Sequence, residues 1–76
     1  MSVKAYVLIE ARVGKTGEIV AALRRLRGVS SADSVTGPYD AIAVLTTRSI
    51  EEMGDLIVSA VEPTAGIFRA VACIVT

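Results

Sequence analysis

From Val3 to Arg12 every odd position is apolar (Val3, Ala5, Val7, Ile9, Ala11), while the even positions mix Lys4, Tyr6, Leu8, Glu10 and Arg12. That period of two predicts a first strand. Gly14-Lys15-Thr16-Gly17 interrupts it. Thr16 is placed to cap, Glu18 favours a helix N-terminus, and Ile19, Val20, Leu23 and Leu26 recur at helical spacing, which predicts a first helix from about Gly17 to Arg27. Gly28 ends that helix, and the β-compatible but polar stretch from Val29 to Thr36 predicts a strand at a sheet edge. Ala41 to Thr47 is apolar on both alternating faces, the pattern of a central strand. Ser49-Ile50-Glu51-Glu52 has the capping-box form, and Ile50, Met53, Ile57, Ala60 and Val61 follow as one helical stripe that stops before Pro63. Pro63-Thr64-Ala65-Gly66 predicts a turn, and Ile67 to Thr76 a last strand.

The order βαββαβ over a single domain, residues 1–76, has one compact solution. Two right-handed crossovers joined by a hairpin give an α+β ferredoxin-like plait, an antiparallel four-stranded sheet of order 4-1-3-2 with both helices on one face. Two helices shield one side of the sheet, yet strands one, three and four are apolar on both. Tyr6, Leu8, Ile42, Val44, Phe68 and Ile74 are assigned to the bare side. A second copy packed sheet to sheet would cover these six residues, so the expectation is a homodimer through them.

Composition sharpens that expectation. A chain of 76 residues buries too small a fraction of its surface to be comfortably stable alone. Hydrophobic residues make up 53% and the mean hydropathy is +0.60, more apolar surface than so small a monomer hides. A single cysteine, Cys73, rules out an internal disulfide, and with no histidine a structural zinc site lacks ligands. Self-association is the remaining staple. Lys plus Arg and Asp plus Glu both number 8, so no general field draws the chain to nucleic acid or to an anionic membrane. The longest apolar run, Ala70 to Val75, is far below the roughly 18 residues of a membrane span. A cytoplasmic protein is expected, without membrane contact and without direct contact to nucleic acid.

Catalysis finds little to work with. The absence of histidine removes the usual general base, and Cys73 within its apolar run is expected to be buried as a thiol. Gly14-Lys15-Thr16 resembles the end of a phosphate-binding loop, but the glycine required five residues earlier is Ile9. Glu51 and Glu52 point about 100° apart on a helix and serve its dipole. Arg24, Arg25 and Arg27 suit a helix C-terminus and have no interleaved aromatic. No catalytic residue, cofactor or metal is assigned. The strongest candidate is Gly37-Pro38-Tyr39-Asp40. Gly37 reaches backbone angles closed to other residues, Pro38 stiffens the turn, and Tyr39 and Asp40 offer an aromatic face and an acceptor. The simpler reading of the same residues is a β-turn in which Asp40 bonds nearby backbone.

Val35-Thr36-Gly37-Pro38-Tyr39-Asp40, followed by Ala41-Ile42-Ala43-Val44-Leu45, together with the helix ending Leu26-Arg27-Gly28-Val29, resembles the Lrp/AsnC family of transcription regulators, in its C-terminal effector-binding module. The resemblance covers the whole chain and rests on the placement of short motifs on a βαββαβ frame. It implies sheet-to-sheet dimers assembled into octamers or larger rings. It also implies a small-molecule effector such as an amino acid, bound at Gly37, Pro38, Tyr39 and Asp40. The Thr-x-Thr element that many members carry in the last strand falls here on Ala70 and Ala72, which removes two hydroxyls from the expected pocket. The family's helix-turn-helix domain is not in this sequence, whose first strand starts at Val3, so a stand-alone module without DNA binding of its own is expected, co-assembling with full-length regulators. The alternatives are a small dimeric α+β-barrel enzyme of the monooxygenase or isomerase sort, and an assembly adaptor with no ligand.

Overall fold

A computed structural model of the chain describes residues 2–76. Strand β1 runs Val3–Ala11, helix α1 Thr16–Arg24, strands β2 and β3 Val29–Ser34 and Ala41–Thr47, helix α2 Ile50–Leu56, and strand β4 Ile67–Ile74. The sheet is antiparallel in the order β2-β3-β1-β4, the expected plait read from the other edge. The polar strand β2 lies at one edge and the doubly apolar β3 inside, as their patterns require.

Both helices lie on one face. Ala5, Val7 and Ile9 of β1, Ala32 of β2, and Ala41, Ala43 and Leu45 of β3 are buried there with Ile19, Val20 and Leu23 of α1 and Met53 of α2. Ile50, expected in the same stripe, is instead exposed. The Ser49 hydroxyl caps α2 by accepting the Glu52 N–H at 3.1 Å. Beyond Leu56 the chain widens into a π turn, Ile57–Val61, closed by the Glu62 N–H donating to the Ile57 carbonyl at 2.9 Å. Ile57 and Val61 still reach the core, so the apolar spacing gave no hint of the wider turn. Helix α1 stops three residues before its expected end. Gly28 then turns the chain with φ +96°, and a Cβ there would sit 2.7 Å from Leu56 Cδ2, so the glycine also permits the close passage of α2.

The register sorts the two faces of the sheet. Opposite the helices, Tyr6 lies between Val44 and Cys73, and Leu8 between Ile42 and Val71. This corrects one of the six residues assigned to the bare face and leaves a second without a regular place in the ladder. Ile74 pairs with Ala5, which puts it on the helix side, and Phe68 is the extra residue of a bulge, since Glu10 pairs with Arg69 and Ala11 with Ile67. In a strand apolar at every position but Arg69, alternation cannot tell the faces apart, and only the pairing with β1 decides. Val71 and Cys73 take the two places. Cys73 is therefore exposed, not buried as expected, because it lies on an edge strand away from the helices.

Candidate functional site

Three bonds around Asp40 hold the segment between β2 and β3: one closes the loop on itself and two tie it to the end of β1. The Val35 N–H donates to the Asp40 carbonyl at 3.0 Å and the Asp40 N–H donates to the Ile9 carbonyl at 2.8 Å. The carboxylate Oδ2 accepts the Ala11 N–H at 2.7 Å. Asp40 thus acts as a clasp: it satisfies a backbone donor 29 residues away in sequence, where β1 leaves the sheet. This differs from the simpler reading of Asp40, because the backbone group its carboxylate bonds belongs to a distant strand and not to the turn.

Beyond the clasp the loop stands free. Gly37 has φ +148° with open space where a Cβ would sit, Pro38 is exposed, and Tyr39 and Asp40 are half-buried. The N–H groups of Gly37 and Tyr39 have no backbone partner among the described residues. Ala70 pairs with Ile9, so it shares the sheet end with Asp40, whereas Ala72 pairs with Val7 one pleat deeper. The structure therefore brings Gly37, Pro38, Tyr39, Asp40 and Ala70 to one end and sets Ala72 nearer mid-sheet. Two further residues lie at this end that the sequence did not place at the site. Arg12 donates its N–H to the Gly66 carbonyl at 2.8 Å and carries its guanidinium 5.4 Å from the centre of the Phe68 ring. Nothing in the sequence pairs Arg12 with Phe68, since the bulge that brings them together is invisible in a pattern.

Charged residues around the sheet find partners. Arg69 pairs with Glu10 at 2.8 Å, Arg24 with Asp33 at 3.3 Å, and Lys4 Nζ lies 5.1 Å from the Tyr6 ring centre. Arg24 also donates through Nε to the Ala32 carbonyl at 2.8 Å, so one arginine of the helix-end cluster serves the sheet edge. At the opposite end of the sheet an open depression of ≈ 580 Å³ is lined by Gly28, Thr46, Thr47 and Leu56 beneath the Arg48–Glu52 ion pair. It is remote from Asp40, because Thr46 and Thr47 pair with the beginning of β1 and Ala41 with Ile9.

The clasp can be separated from any binding role. Asp40→Ala leaves the Ala11 N–H without its partner and is expected to cost about 1–3 kcal/mol. Asp40→Asn keeps an acceptor for that N–H and should retain most of the stability. Urea unfolding of the two variants checks this, and equal losses would overturn the clasp.

The bare face has the build of an interface. Its centre is apolar, formed by Tyr6, Leu8, Ile42, Val44, Val71 and Cys73. Lys4, Ser31, Asp33 and Thr46 border it, with the Glu10–Arg69 ion pair at one end. Tyr6 is 40% exposed at the centre of this surface. No helix among the described residues is long and apolar enough to cross a membrane.

Solved structures share this arrangement. The protein TTHA0845 of Thermus thermophilus is 28% identical with a TM-score of 0.91, over 97% of this chain and 92% of that one. AsnC of E. coli is 22% identical with a TM-score of 0.88, over 96% of this chain and 50% of that one, so this chain spans half of it. The transcriptional regulator NMB0573 of Neisseria meningitidis, solved as a complex with L-Met, is 17% identical with a TM-score of 0.85, over 97% of this chain and 49% of that one. A comparison with curated proteins found no match. The sequence model of the Lrp/AsnC ligand binding domain matches residues 4–76, and the chain belongs to that family.

Proposed function

We propose that this chain is a non-enzymatic effector-binding and oligomerisation module that acts in transcription regulation without binding DNA itself. Copies pair sheet to sheet through Tyr6, Leu8, Ile42, Val44, Val71 and Cys73, and the dimers assemble further into an octamer or larger ring. The same surface co-assembles with full-length regulators of the family. The effector is an amino acid or a related metabolite. It is held at the free loop by Gly37, Pro38, Tyr39 and Asp40, with Ala70 and Ala72 of β4 alongside.

The observation that carries this reading is the loop itself. Asp40 fixes its base to β1 through Oδ2, while the N–H groups of Gly37 and Tyr39 remain available for a ligand carboxylate. The half-buried Asp40 carboxylate supplies negative charge beside them for an ammonium group. The L-Met complex of the Neisseria regulator makes amino acids the class to try first. Calorimetry of the intact protein against the twenty amino acids is the test. One or more should give saturable heat, and Asp40→Asn should weaken that binding about tenfold or more, the loss expected of one charged contact. No heat with any amino acid would sink the sensing role and leave an assembly adaptor.

A further inference from the structure

The two edges of the sheet differ in a way that the sheet-to-sheet contact does not use. At the β2 edge, the Ala32 carbonyl is taken by Arg24 Nε, and the strand carries Ser30, Ser31, Asp33 and Ser34. That edge is blocked and polar. The β4 edge has neither protection. It contains no proline and no lysine, and its single charge, Arg69, is neutralised by Glu10 of the same chain.

Which backbone groups of β4 are free follows from the ladder. In an antiparallel strand the N–H and C=O of one residue point to the same neighbour and alternate along the strand. The Val75 N–H donates to the Lys4 carbonyl at 2.8 Å, so Val71 and Cys73 also face β1, and Ala70, Ala72 and Ile74 present their groups outward. Ile67 and Ala70 pack against the core, but the far half of the strand is uncovered, and Phe68 at 62%, Ile74 at 43% and Val75 at 49% are exposed.

We propose that β4 pairs antiparallel with β4 of a second copy about a two-fold axis at Ala72, joining two sheets edge to edge. That register engages all three outward residues, setting Ala72 against itself and Ala70 against the partner's Ile74. The smallest side chain then lies on the axis and a small residue meets a large one beside it. On the other face Val71 meets the partner's Cys73. Because Arg69 is already paired, the edge has no net charge and two copies meet without repulsion. The blocked β2 edge leaves no equivalent place for a β4–β2 contact. The occupant is therefore a second copy, and this interface is separate from the one across the bare face.

Amide exchange and native mass spectrometry on the intact protein test it. The Ala70, Ala72 and Ile74 amides, which have no partner within the chain, should exchange about a hundredfold more slowly than free amides. Ala72→Pro removes one outward N–H and no bond to β1, a change that edge strands tolerate. It should reduce the assembly to the sheet-to-sheet dimer and return Ala70 and Ile74 to fast exchange. In Val71→Cys, oxidation should link position 71 to the partner's Cys73, because non-hydrogen-bonded pairs lie within disulfide reach. Fast exchange of the three amides in the unaltered protein overturns the proposal. So does an Ala72→Pro protein with unchanged mass and exchange, or a Val71→Cys protein that forms no such link.

Discussion

Leu8→Lys should split the sheet-to-sheet dimer while leaving each chain folded. Leu8 sits at the middle of the bare face between Ile42 and Val71, and it is half-buried in the single chain. There a lysine can extend its ammonium to water, so the fold bears little of the cost. Between two packed sheets the same ammonium has no partner. A symmetric contact doubles the fault, since each copy brings its own lysine to the centre. Leaving a charge buried and unpaired costs about 3–5 kcal/mol, roughly a hundred- to a thousandfold in the dissociation constant. Sedimentation equilibrium measures this directly, with circular dichroism as the check on folding. A folded Leu8→Lys protein that keeps the mass of the unaltered one would refute the sheet-to-sheet contact, and with it the account of why the chain is apolar on both sides.

The second large effect lies on the helix side. Leu45 is completely buried in β3, opposite Ala5 of β1 and Val29 of β2. Leu45→Ala removes apolar contact and leaves a cavity among residues that cannot all move to fill it, at a cost of about 2–5 kcal/mol. In a domain of this size each kcal/mol lowers the melting temperature by roughly 4–8 °C, so a fall of about 8 °C or more is expected. Val58→Ala, at a residue 63% exposed on the π turn, should change stability by no more than about 0.5 kcal/mol. Thermal unfolding of the pair at one protein concentration decides the matter. Similar melting temperatures would mean that the packing described around β3 is wrong.

Much of this was legible in the residues. The alternation from Val3 to Ala11 marked a strand with one buried face, and Ser49 with Glu52 marked the start of α2, because both signals depend only on neighbours in sequence. The edge position of β2 followed from its polarity and the inner position of β3 from the apolar residues on both its faces. The failures within the sheet have one cause. Ile74 was placed on the wrong face, Phe68 was given a regular position, and Cys73 was expected inside. All three belong to β4, where every position but Arg69 is uncharged and no alternation marks a face. At the candidate site, the turn residues announced the loop, but the clasp from Asp40 to Ala11 spans 29 residues and has no sequence signature.

What the chain determines by itself is the set of elements, their order and the excess of apolar surface over what two helices can cover. These follow from local periodicity and from composition, which no distant contact alters. The parity of β4, the bulge at Phe68, the partner of Asp40 and the blocking of the β2 edge by Arg24 were decided only when strands met. Each depends on which backbone groups come to lie opposite one another, and that register is a property of the folded sheet.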